Sequence, residues 1–95
     1  MSTIRDEQDA IHNMARDLTN MNVGLDVHYN DCGDAVTGVA VFEVRETEPS
    51  NRMLWMHTVY DYEYGKAYLP QLRMLRHRLE ELYREALAQR EEKAA

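Results

Sequence analysis

The sequence predicts an α+β domain of two layers, with the order helix, three strands, helix, and a three-stranded antiparallel sheet. Three observations carry this. Apolar residues recur at helical spacing over the first twenty positions. The period then shortens to two in three runs parted by turn-forming residues. After Gly65 the helical spacing returns and persists almost to the C-terminus. Two amphipathic helices and one small sheet bury most apolar surface if both helices lie on the same sheet face.

The first helix is placed at 4–20. Ile4, Ile11, Met14, Leu18 and Met21 fall on one stripe. Ser2 or Thr3 can cap it, and Asp6 and Glu7 then sit in the first turn, where the helix dipole favours anions. The first strand is placed at 23–30, because Val23, Leu25, Val27 and Tyr29 alternate with Gly24, Asp26, His28 and Asn30. Asn30-Asp31-Cys32-Gly33-Asp34 is a turn sequence, and the second strand follows at 35–45. A polar loop with Pro49 leads to a third strand at 52–62, which could run on through Tyr64.

Gly65 ends the strands. Pro70 is tolerated only in the first turn of a helix, so the last helix is placed at 68–92. Its stripe is Leu72, Leu75, Leu79, Leu82 and Ala86, spaced three and four apart. The charged end, from Arg90 to Ala95, is expected to fray.

Ninety-five residues suit one domain, 1–95. The chain is 44% hydrophobic and 29% charged, as expected of a globular protein. No apolar run approaches the roughly 18 residues of a membrane span, and the N-terminus does not read as a signal peptide. A lone cysteine, Cys32, has no internal disulfide partner, which fits a reducing cytoplasm. The net charge of −6 opposes direct nucleic-acid binding by the chain as a whole. The element order is also that of double-stranded-RNA-binding domains, but those need a basic loop and a basic helix start. Here residues 1–65 carry twelve acidic and four basic side chains.

Few motifs carry chemistry. His12, His28, His57, His77 and Cys32 include no CxxC or HxxxH pair, so no metal site is expected. Cys32 lies among carboxylates, whereas a nucleophilic cysteine needs a base and an electropositive setting. No phosphate-binding loop, nucleophile elbow or dinucleotide fingerprint is present. The expectation is a protein without catalysis and without cofactor.

What remains is surface. A two-layer domain leaves one sheet face bare, and here both faces are apolar. With Val36, Ala40, Phe42 and Val44 turned to the helices, Val39 and Val41 point away, and Met56 is placed beside them. Alternation alone does not fix which face is covered. The last helix, about 34 Å from Pro70 to Glu92, matches the diameter of a compact body this size, so its end with Leu82 and Leu87 should overhang. Val39, Val41, Met56, Leu82 and Leu87 are therefore the expected homodimer interface.

The run Tyr60-Asp61-Tyr62-Glu63-Tyr64 is the expected site for a protein partner. In an extended strand it would put three tyrosines on one face and two carboxylates on the other. With Asp31, Asp34 and Glu43 nearby, the acidic groups would steer a basic protein, such as one that handles nucleic acid. Small acidic domains of this kind, phage-encoded inhibitors among them, act by occupying a surface of a larger macromolecule. The alternative is a nucleotide-, small-ligand- or RNA-binding module in which Arg73 and Arg76 meet phosphates and the tyrosines stack.

Overall fold

The computed structural model describes residues 3–44 and 51–94. Ser2, the end of the second expected strand at Arg45, most of the polar loop and the last residue, Ala95, lie outside the described residues. The elements are α1 (Ile4–Asn20), β1 (Leu25–Asp31), β2 (Val36–Glu43), β3 (Arg52–Tyr60), α2 (Asp61–Tyr64), a 3-10 turn (Gly65–Ala67) and α3 (Tyr68–Ala94). The sheet is antiparallel in the order β1-β2-β3. The expected αβββα arrangement is the one observed.

Local chemistry explains the boundaries. Thr3 caps α1: its hydroxyl accepts from the Asp6 N–H at 3.1 Å, and the Asp6 carboxylate accepts from the Thr3 N–H at 3.0 Å. Gly33 takes a positive φ in the β1–β2 turn, where a side chain would be strained. Pro70 sits at the third residue of α3, where no helical hydrogen bond needs its missing N–H. β3 stops two residues earlier than the spacing implied. Asp61 donates its N–H to the Ala35 carbonyl at 2.8 Å, closing the ladder, and the chain turns at once into the short α2.

The core holds Ile11, Ala15 and Leu18 from α1, Val27, Val39, Val41 and Val59 from the sheet, and Tyr68, Leu72, Leu75, Leu79 and Ala86. Val39 and Val41 thus point at the helices, which reverses the expected facing. Their row is the bulky one. The other row of β2 contains Gly38 and Ala40, too little side chain to fill a space between sheet and helices without voids.

The overhang is also corrected. The body is 44 × 31 × 15 Å with a radius of gyration of 14.3 Å, longer than a compact sphere. α3, about 40 Å long for its 27 residues, itself accounts for most of the long dimension. Leu82 packs on the core and Ala86 is buried, so neither Leu82 nor the half-buried Leu87 forms a free apolar end.

α1 also guards one edge of the sheet. Val27 donates its N–H to Thr19 Oγ1 at 2.9 Å, and the Val27 carbonyl lies 3.2 Å from the same hydroxyl. Next to it, Tyr29 donates to Asp31 at 2.8 Å and stacks on His12, with ring centroids 4.6 Å apart. Burial first, then the hydrogen bond to Asp31, push the Tyr29 phenol well above its ordinary pKa of 10.0. The folded state therefore holds this proton more tightly than the unfolded chain. The stabilisation is complete below about pH 10 and is lost as pH rises beyond it. Urea midpoints at pH 9, 10 and 11 should fall less steeply for Tyr29→Phe than for the natural protein. Parallel declines would show that Tyr29 does not carry the alkaline loss.

Candidate functional site

With Thr37, Val39 and Val41 turned inward, the row Val36, Gly38, Ala40, Phe42 forms the middle of the outer face. The register sets His28 beside Ala40 and Met56, and Asn30 beside Gly38 and Thr58. Among the described residues no helix covers this face. A shallow groove runs over Gly38 between His28 and Asn30 on one side and Met56, Thr58 and Tyr60 on the other. The groove depends on the glycine. A Cβ there would come within 3.1 Å of Thr58 Oγ1, so the missing side chain lets Thr58 lean over β2.

The exposed apolar side chains gather mainly at one end of this face. Met56 is 64% exposed, and Met53, Leu54 and Val44 are also open to solvent. A register shift between Val41 and Phe42 leaves Leu54 as the extra residue of a bulge in β3, which twists this part of the strand. The β1 side is polar: His28 Nε2 lies 2.9 Å from Asp26 Oδ2, and its ring meets Phe42 edge-on.

The tyrosine run does not lie as an extended strand. Tyr60 ends β3, while Asp61–Tyr64 is helical, so the three tyrosines do not share a face. Tyr64 packs on the core. Tyr60 and Tyr62 stay together, with ring centroids 5.2 Å apart, and Tyr62 is 84% exposed. Asp61 and Glu63 are exposed beside them. Asp31 and Asp34 lie at the same end of the sheet, each near Arg5, at 3.8 and 2.9 Å. Glu43 does not join them. It is opposite Leu25 and Arg52 at the other end of β2.

Arg73 and Arg76 are both turned to Glu7 of α1. Glu7 is only 2% exposed, and the Arg76 guanidinium bonds to it and to Glu80. Arg73 adds a second positive charge 3.7 Å from Glu7. The Glu7 hydrogen bond is the main reason the Arg76 guanidinium binds its proton more tightly than usual. Beside this pair, Gln8 donates to the Gly33 carbonyl at 3.0 Å and to Thr37 Oγ1 at 2.8 Å. Thr37 in turn lies 3.0 Å from the Tyr68 hydroxyl. This polar inlay ties α1, the β1–β2 turn and α3 together. Its signal was present: positions 7 and 8 fall on the helix stripe between Ile4 and Ile11 yet carry Glu and Gln.

Among the described residues, no three His, Cys, Asp or Glu side chains gather so as to hold a metal ion. No described helix is long and apolar enough to cross a membrane. No model of a known family matches the chain, and neither a curated protein nor a solved structure matches it. The class is therefore set by architecture alone, a two-layer αβββα domain with one bare sheet face.

Proposed function

We propose that this chain is a non-catalytic protein-binding domain whose working surface is the outer sheet face, with Tyr60 and Tyr62 at its acidic end. The observation behind this reading is the exposure of Met53, Leu54, Met56 and Val44 around Phe42, on the face the helices leave bare. Apolar side chains gathered in this way on a small domain mark contact surfaces. The partner is a larger protein with a basic surface, and the domain acts on it as an inhibitor would, by occupying that surface. Asp61 and Glu63 supply the long-range attraction that raises the on-rate, and Tyr62 supplies rigid contact area that slows dissociation.

A photocrosslinking residue at position 62 identifies the partner, and surface plasmon resonance at two salt concentrations then separates the roles. Asp61→Asn with Glu63→Gln should slow association and flatten its salt dependence. Tyr62→Ala should speed dissociation about tenfold to thirtyfold, as for an anchor of roughly 1.4–2 kcal/mol. Unchanged rates for both variants and for Met56→Glu would overturn the assignment of this surface.

A further inference from the structure

The two edges of the sheet differ. α1 closes β1 through Thr19, but among the described residues nothing is hydrogen-bonded along the outer edge of β3. The bond from Asp61 N–H to the Ala35 carbonyl sets the phase of the β2–β3 ladder. Counting back by twos, Val59, His57 and Trp55 exchange bonds with Thr37, Val39 and Val41. Thr58 and Met56 therefore direct both backbone N–H and C=O away from the sheet, and so does the Tyr60 N–H, while the Tyr60 carbonyl is already the first acceptor of α2. The bulge at Leu54 interrupts this alternation on one side, and α2 ends it on the other. The open run is Met56–Tyr60, and Thr58 is its middle residue.

We propose that a second copy of this chain adds to β3, antiparallel about a two-fold axis at Thr58, to make one continuous six-stranded sheet. The run is complementary to itself. Thr58 pairs with Thr58 of the second copy, and Met56 pairs with Tyr60, so all three open donors find acceptors, the Tyr60 carbonyl using the lone pair that its bond within α2 leaves. The side chains agree with this register. On the outer face each exposed Met56 meets a Tyr60 ring, a contact thioethers favour. On the inner face His57 lies beside Val59.

The helix layer supplies a second, independent complementarity. Arg78 stacks on Trp55, 3.9 Å from the ring centroid, so this flank of α3 lies along the β3 edge. Glu81 and Glu85 line the same flank. Met74, one turn before Arg78, is 63% exposed. The two-fold axis at Thr58 sets Trp55 level with Asp61 of the second copy, so Arg78 comes toward the exposed Asp61 of the other chain, while Glu81 and Glu85 lie farther from the axis. A foreign strand could use the backbone groups of β3, but it would not bring this matching charge with it. This dimer replaces the one expected from Val39, Val41, Leu82 and Leu87, keeping only Met56. It goes beyond the binding reading above, and either can fail without the other.

Light scattering over roughly 10–200 µM, a range in which mass action shifts a weak dimer, should show the mass rising from 11.2 kDa towards twice that value. Hydrogen exchange on the natural protein is the deciding measurement. The amides of Met56, Thr58 and Tyr60 should slow at high concentration and speed up on dilution. Those of Trp55, His57 and Val59, already bonded to β2, should stay protected throughout. Thr58→Pro deletes an outward donor in each copy while sparing the β2 ladder, and should raise the dissociation constant about tenfold to thirtyfold. If that variant does not fold, the exchange result on the natural protein still decides. A monomer at every concentration would overturn the proposal. So would a dimer whose Met56, Thr58 and Tyr60 amides exchange as fast as in dilute solution.

Discussion

Val41→Glu is expected to unfold the protein, and Met56→Glu to leave its fold intact. The two positions lie on neighbouring strands and differ in facing. Val41 is 0% exposed, between Val27 on β1 and Trp55 on β3, and it faces the helix layer. A carboxylate there would lose its water and gain no partner. The penalty for such a group is several kcal/mol, against a total stability of about 5–14 kcal/mol for a chain this long. Met56 is 64% exposed, so its substitution should change stability by no more than about 0.5 kcal/mol. Urea titrations followed by circular dichroism at low micromolar protein measure both. A folded Val41→Glu with an unfolded Met56→Glu would mean that the faces are the other way round.

The facing of β2 was the main thing the sequence left open, and the reason is physical. Alternation separates Thr37, Val39 and Val41 from Val36, Gly38, Ala40 and Phe42, but both rows are apolar enough to be a core row. Volume separates them, since Gly38 and Ala40 cannot fill the space that Val39 and Val41 fill. The hairpin register says the same thing. Val27 sits opposite Val41, so whichever face holds the apolar row of β1 also holds Val39 and Val41. The ends of the helices, the turn at Gly33 and the place of Pro70 could be read directly, because each rests on local chemistry. The tyrosine run could not. Tyr60-Asp61-Tyr62-Glu63-Tyr64 alternates like a strand, and only the closing bond to Ala35 and the turn that follows make it helical.

The arginines, too, take their role from a neighbouring element. On the helix alone, Arg73 and Arg76 read as a free basic face. Across the interface with α1 they meet Glu7, a carboxylate the sequence offered as a first-turn dipole partner. One side chain therefore serves the helix end and anchors α3 as well.

Arg76→Met is accordingly expected to cost about 3–5 kcal/mol, much more than the loss of a surface ion pair. The substitution keeps most of the apolar stem and removes the guanidinium. Glu7 would remain almost wholly buried, with Arg73 at 3.7 Å the nearest compensating charge among the described contacts. The reverse change is milder. Glu7→Gln removes the buried charge itself and leaves Arg76 bonded to Glu80 at a site open enough for water to help, so about 1–2 kcal/mol is expected. The double variant Glu7→Leu with Arg76→Met should recover much of the loss, because a well-packed apolar pair no longer confines a lone charge. Denaturant midpoints for the natural protein, Arg76→Met, Glu7→Leu and the double variant complete a cycle. A coupling of 2 kcal/mol or more, in the range roughly expected of buried contacting groups, supports the pairing. A cost below about 1 kcal/mol for Arg76→Met would show that Arg73 alone neutralises Glu7, and Arg76 would then count as no more than a surface ion-pair partner of Glu80.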